Sequence, residues 1–366
     1  MKNILKYITY ITIPFLVSCE SDEKRMDITD GKISPVEFDL ILTRDDNGVP
    51  KEDPDDYFKV DESCVLISQQ FTSSSTSIDF SEGSRNCYKY VYNGNKDATW
   101  DSGFNFTSVD PLSWETIYMN GQFNNGFAFA ALFFPRDYKY TTQIVADQRE
   151  RDAFYECDVL GGWHKTSQFR ERLRFRMFHL MCLLRVNLYV PVFDEESANG
   201  IDPDAVVASA INFRTSYAVS FPDRTSDDFP PKLDATDDVI QDIFMYELAE
   251  PVVIENMPID VYNNIGEDTV RKYSFEMIFP YQTVSGDILR FTLQRGEMSY
   301  NYVYNPNRNP GSSSPSFEQG TINQLELYLP RTDNELVLMR AYLKDWNEAK
   351  TNDFTITEED PQEENL

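Results

Sequence analysis

The sequence predicts an all-β protein built from two tandem two-layer units, and three observations predict it. Apolar residues recur at every second position in many short stretches bounded by Gly, Pro, Asn and Asp, which is the period of half-buried strands. One stretch, Phe127-Ala128-Phe129-Ala130-Ala131-Leu132-Phe133-Phe134, is apolar on both faces, as a central strand of a two-layer core is, and Pro135 ends it. The 366 residues exceed what one ordinary core serves, so two domains are expected.

Residues 1–18 read as a leader. Lys2 and Lys6 supply its positive start, and Ile8 to Val17 form an apolar run too short to span a bilayer. Leu16-Val17-Ser18-Cys19 then has the layout of a bacterial lipoprotein signal, in which cleavage between Ser18 and Cys19 leaves Cys19 as the lipid-bearing N-terminus. The acidic Glu20-Ser21-Asp22-Glu23 that follows resembles the export signal of lipoproteins displayed on the outer face of a Gram-negative outer membrane. Residues 19–34 are polar and charged, and are expected to tether the fold to the lipid.

The first domain is expected over residues 35–165. Val36, Phe38, Leu40 and Leu42 alternate as a first strand, and Tyr88, Tyr90 and Tyr92 mark another. The second is expected over residues 166–350. Leu173, Phe175 and Met177 are apolar, with Arg172, Arg174 and Arg176 on the opposite face; then the phase moves to even numbers from Phe178 and Leu180 through Val190. A shift by one residue turns every later side chain to the other face, so a bulge or one tight turn is expected near His179. Tyr273 to Phe279, Leu289 to Leu293 and Leu325 to Leu329 repeat the alternation, whereas Asp234 to Leu248 fits either a helix stripe or a strand. Asn305 to Gln319 reads as a long loop, and residues 351–366 as an acidic tail holding one short alternating segment, Phe354-Thr355-Ile356-Thr357.

The formal net charge of −28 excludes nucleic acid as a partner, because phosphate backbones need clustered Lys and Arg. After Cys19, the cysteines Cys64, Cys87, Cys157 and Cys182 are scattered without a CxxC pair, so a structural zinc site is not expected, nor any other metal or cofactor. Cys64 and Cys87 are the most plausible disulfide if their strands pair, although isolated buried thiols suit such spacing better. Catalysis is not expected. Two histidines are present, and neither a G-x-S-x-G elbow, a phosphate-cradling glycine loop nor an H-E-x-x-H helix occurs. His179, inside an apolar run, is expected to be satisfied by a backbone carbonyl; His164, after Gly161-Gly162-Trp163, is expected in a solvated interdomain turn. Asp53-Pro54-Asp55-Asp56 and the cluster Asp223, Asp227 and Asp228 lack the spacing of a calcium loop. Trp100, Trp114 and Trp163 stand in Gly-, Asp- and Ser-rich contexts where an aromatic ring stacks on sugars or packs at the base of a loop.

Three segments carry a family resemblance. Asp158-Val159-Leu160-Gly161-Gly162, the stretch Phe175 to Leu188 with His179 inside it, and Gly320 to Trp346 ending in Asp345-Trp346 together resemble the fimbrillins, the subunits of type V pili. The resemblance implies two transthyretin-like β-sandwich domains, export as an outer-membrane lipoprotein, and assembly with other pilus subunits by strand addition. In stalk subunits of that family an Arg-specific protease removes the segment that includes the first strand, and a strand of the next subunit fills the groove. Carried to this chain, that makes Arg44, just after the first strand, the candidate processing site, and Phe354 and Ile356 the candidate donor strand. Phe354 to Thr357 is short for a donor, which favours an anchor or accessory role with the lipid retained. Host glycans or proteins are further partners of an adhesive surface. A surface glycan-binding lipoprotein of a polysaccharide uptake system is the alternative, since it shares the leader and the β-sandwiches.

Overall fold

The computed structural model describes residues 34–42, 63–70, 87–94, 104–119, 127–134, 142–166, 168, 170–192, 203–220, 231–236, 240–261, 264–308, 316–330 and 336–346. The protein is all-β, with only short helical turns among these residues, at Trp114–Met119, Arg151–Tyr155 and Pro306–Arg308. None of them is long and apolar enough to cross a membrane.

The first unit contains β1 (Phe38–Leu42), β2 (Ser63–Gln70), β3 (Cys87–Tyr92), β4 (Phe104–Thr107), β5 (Phe127–Phe133), β6 (Leu160–Thr166) and β7 (Leu173–His179). Its two layers are continuous: the strands pair in the order β1-β4-β3-β2-β5-β6-β7, and β7 returns to β1, so the sheet closes on itself. Closure removes the free edges that an open sheet exposes. The expectation for Phe127 to Phe134 holds, since β5 lies between β2 and β6 and is buried on both faces at Phe129 to Phe133. Phe129, Ala131 and Phe133 face the interior of the ring, while Ala130 and Leu132 join Val65 in the core of the second unit.

The second unit adds β8 (Cys182–Pro191), β9 (Ala205–Arg214), β10 (Tyr217–Ser220), β11 (Lys232–Ala235), β12 (Ile240–Phe244), β13 (Tyr246–Val261), β14 (Asn264–Phe279), β15 (Gln282–Thr283), β16 (Leu289–Arg295), β17 (Met298–Tyr304), β18 (Ser316–Phe317), β19 (Thr321–Tyr328) and β20 (Val337–Asp345). A five-stranded sheet in the order β13-β14-β8-β19-β20 faces a four-stranded sheet in the order β12-β9-β16-β17. Their inner faces share one core, with Phe275 of the first sheet 6.2 Å from Phe291 of the second between ring centres. β8 is the axis of this layer: all ten residues are buried between β14 and β19.

Several expectations are corrected here. The pairing carries the ring through β6 and β7, so the first unit ends at His179 and not at residue 165. The reason lies in the phase flip. Of the bulge and the tight turn expected there, it is the turn: a bend at Leu180 and Met181, both buried, carries the chain out of β7 in the ring and into β8 of the next sheet. Where Asp234 to Leu248 fitted either helix or strand, its described residues run through β11, β12 and β13, and Met245 takes the chain from the four-stranded to the five-stranded sheet. Within Asn305 to Gln319, β18 pairs with β15 and buries Phe317 against Phe213 and Phe279, so that part of the loop is anchored.

Candidate functional site

The strand β1 is the seam of the ring. It runs parallel to β7, with Phe38 opposite Leu173 and Leu42 opposite Met177, and antiparallel to β4, where only Asp39 and Leu40 are in register. The alternation read from the sequence explains why the strand sits there: Val36, Phe38 and Leu40 point inward and are at most 1% exposed. Phe38 fills the centre, with its ring 4.7 Å from Tyr90, 5.6 Å from Phe175 and 6.1 Å from Phe106. Ahead of the strand, the Val36 N–H donates to Leu112 O at 2.7 Å, and the Trp114 N–H donates to Ser34 O at 3.0 Å. The Tyr90 hydroxyl donates to Val36 O at 3.1 Å; burial holds that phenol well above the usual tyrosine range, so it stays a donor.

The outer face of the seam is held by charge. The Arg172 guanidinium donates to both Asp39 oxygens at 2.7 Å, and to Glu37 Oε2 at 2.9 Å. Asp39 is buried, whereas the Arg172 side chain is 42% exposed and Glu37 is exposed, so the first pair is a two-point contact with one buried member and the second lies in water. Hydrogen bonding to Asp39, together with its charge, keeps Arg172 above the ordinary arginine value. Next to it, Glu115 accepts from the Ser34 N–H and from Arg170, each at 2.8 Å. Burial would raise the Glu115 pKa, but the hydrogen bonds from Arg170 and Ser34 prevail and lower it.

The three segments that carry the family resemblance meet at a second place, where the units join. The His179 Nδ1–H donates to Asp158 Oδ2 at 2.9 Å, and the imidazole stacks on Trp346 with ring centres 4.1 Å apart and planes 5° apart. A carboxylate therefore satisfies His179, where a backbone carbonyl was expected. Packing forces the second of the adjacent glycines: a Cβ on Gly162 would lie 2.5 Å from the Arg176 carbonyl oxygen, whereas one on Gly161 would meet the Leu180 side chain, 2.4 Å from its Cδ1. Gly161-Gly162-Trp163-His164 is thus strand and not an interdomain turn; His164 lies in β6, half-buried, with its ring edge toward Phe175 at 6.3 Å and Nε2 3.6 Å from Glu171.

The aromatic candidates separate. Trp114 is buried at 1% exposure with its ring edge toward Phe129, so it cannot stack on a sugar. Trp163 packs partly against the core with Lys165 over its ring at 5.6 Å, and Trp100 lies outside the described residues. Cys64 is a buried thiol, and burial raises its pKa further from the thiolate. β2 and β3 do pair, but in a register that places Cys64 opposite Tyr90 and Cys87 opposite Ile67, which rules out the Cys64 to Cys87 disulfide. Ser18, Cys19, Arg44, Phe354 and Ile356 lie outside the described residues, as do the acidic clusters at Asp53 and Asp223. The clamp by Arg172 was missed, although its signal is present: Glu37 and Asp39 share the polar face of one strand, and Arg172, Arg174 and Arg176 that of another.

No family model matches the chain, and no curated protein matches it. Solved structures do. A candidate cell adhesion protein from Bacteroides uniformis is similar at 13% identity and a TM-score of 0.48, over 87% of this chain and 99% of that one. Another from Bacteroides ovatus is similar at 11% identity and a TM-score of 0.48, over 86% and 98%. A fimbrial assembly protein from Parabacteroides distasonis is similar at 10% identity and a TM-score of 0.39, over 86% and 100%.

Proposed function

We propose that this chain is a fimbrillin-like subunit or anchor of a surface pilus, without catalysis, exported as an outer-membrane lipoprotein through Cys19 and joined to its neighbours by strand addition at the β1 seam. One observation carries the reading. The strand that closes the ring is the first among the described residues, the polar stretch after Cys19 precedes it in the sequence, and Arg44 stands just beyond its end. A ring deprived of β1 would open a slot with pockets for two or three alternating apolar side chains, and with unpaired backbone groups on β7 and β4. Strand addition satisfies both needs at once, since the ladder supplies affinity and the alternating pockets supply specificity. The three family-like segments add support, because Asp158, His179 and Trp346 meet at one joint.

Sequencing the N-terminus of the native protein tests this. A lipid-bearing Cys19 marks an anchor or accessory subunit, and a new end at Asp45 marks a polymerised one. A mature chain that begins at neither residue overturns the proposal.

A further inference from the structure

We propose that Arg172 selects the strand that occupies the β1 seam. The occupant must carry a carboxylate between the two apolar side chains that fill the pockets of Phe38 and Leu40, and this chain's own tail does not qualify. The inference rests on the strand-addition reading and names the chemistry of its partner.

Apolar alternation alone does not define such an occupant. A slip by one residue is rejected, because it turns Phe38 and Leu40 out to solvent. A slip by two keeps the apolar face inward. The charged face separates one of these registers from the native one, and the size of a pocket separates the other. In the native register Asp39 meets both donors of Arg172 at 2.7 Å, with the carboxylate buried. Shifted by two in one direction, Ile41 would face the guanidinium; in the other, Val36 would underfill the pocket that Phe38 packs with Tyr90, Phe106 and Phe175. An occupant without that carboxylate loses two charge-assisted hydrogen bonds at once, and a neutral side chain in its place gives a weaker contact to the guanidinium, which is 42% exposed.

The tail is the obvious internal donor, and it fails this criterion. Aligning Phe354 with Phe38 and Ile356 with Leu40 puts Thr355 where Asp39 stands, and the only carboxylate near, Asp353, falls at the exposed position of Glu37. Thr355 offers Arg172 a neutral hydroxyl in a buried place. The slot therefore favours a strand from a different subunit, of the pattern apolar-acid-apolar-acid-apolar that Val36-Glu37-Phe38-Asp39-Leu40 displays.

The test uses the full mature chain, intact and after treatment with an Arg-specific protease, and follows fluorescence anisotropy of labelled peptides. The probes are residues 34–42, the same peptide with Asp39→Asn, and a tail peptide of residues 351–359. The native peptide is expected to bind, and the Asn peptide to bind at least about tenfold more weakly. The tail peptide is expected to bind no more tightly than the Asn peptide. Arg172→Gln should erase the difference between native and Asn peptides. Equal binding of those two to the wild-type chain overturns the selection by Arg172 while leaving strand addition intact. Failure of the native peptide to enter either form overturns strand addition itself.

Discussion

β1 and β8 are both interior strands, yet they are held in opposite ways. β8 is laced to β14 from Cys182 to Pro191 and to β19 from Leu183 to Tyr189, so backbone ladders run along both of its sides. β1 has a full ladder only with β7, and β4 meets it at Asp39 and Leu40 alone. Side chains make up the difference at β1: three buried apolar residues on one face, and a guanidinium on the other. A strand held mainly by pockets and a charge pair gives up fewer backbone hydrogen bonds on leaving its place than one laced on both sides, which cannot leave without dismantling its sheet.

The largest expected effect tests whether the two regions are energetically separate. Phe38→Ala empties the centre of the ring and should cost about 3–5 kcal/mol. Native-state hydrogen exchange should show lost protection in β1, β4 and β7, with the amides of β8 and β14 unchanged. Equal loss in β8 would make the whole chain one cooperative unit and end the contrast.

A smaller effect is expected from the buried charge in the second unit. Arg185 on β8 donates through Nε to Glu276 on β14 at 2.6 Å, with both side chains at 7% exposure or less. Burial pushes the Glu276 pKa up and the Arg185 pKa down, each toward its neutral form, against the pull of the opposite charge. Glu276→Gln leaves the guanidinium without its counter-charge and should cost about 3 kcal/mol, read as a shift in the urea midpoint. The double change to Met and Leu should recover most of that loss. If it does not, the pair contributes more to β8 than its ladders suggest, and the contrast with the charge-held β1 narrows.

Smaller again is the joint between the units. Trp346→Leu keeps an apolar side chain against the core but removes the stack on His179, for about 1 kcal/mol in thermal or urea unfolding. The loss should appear in both units, because His179 ends β7 and Trp346 follows β20. An effect confined to the second unit would mean that the stack does not couple them.

What the sequence disclosed was local. The burial of Val36, Phe38 and Leu40, the central place of Phe127 to Phe133 and the change of course near His179 all follow from alternation within a few residues. What it concealed depends on distant partners. The parallel pairing of β1 with β7 has no signature inside either strand, and without it neither ring closure nor the end of the first unit at His179 could be placed. Gly161-Gly162 misled because glycine usually punctuates a chain, whereas here close approach to the Arg176 carbonyl leaves no space for a side chain at Gly162. The favoured reading of Cys64 as an isolated buried thiol stands, and the disulfide with Cys87 fails although their strands pair, because register is set by burial and not by spacing. Arg172 and Asp39 were each visible as charged positions on half-buried strands, and only the fold made them partners.

The smallest effect concerns how pH acts on the seam. Glu115 fastens the start of β1 by accepting from the Ser34 N–H and from Arg170, and these bonds hold its carboxyl below the ordinary value of 4.5 despite the burial that opposes them. A carboxyl whose pKa is lower in the folded chain binds fewer protons there than in the unfolded chain. Its stabilisation is therefore complete above the ordinary value and is lost as pH falls through the lowered one. Wild-type protein should unfold later than Glu115→Gln at pH 7, and the gap between their urea midpoints should shrink steadily below pH 4.5 until it closes. In hydrogen exchange the same gap should concentrate in the amides of Ser34 and Val36, with none in β8, because this carboxyl is bonded to Ser34 and Arg170, which lie outside β8. A gap that persists unchanged in acid would assign the role of Glu115 to packing, and leave Arg172 as the charged fastening on which the seam depends.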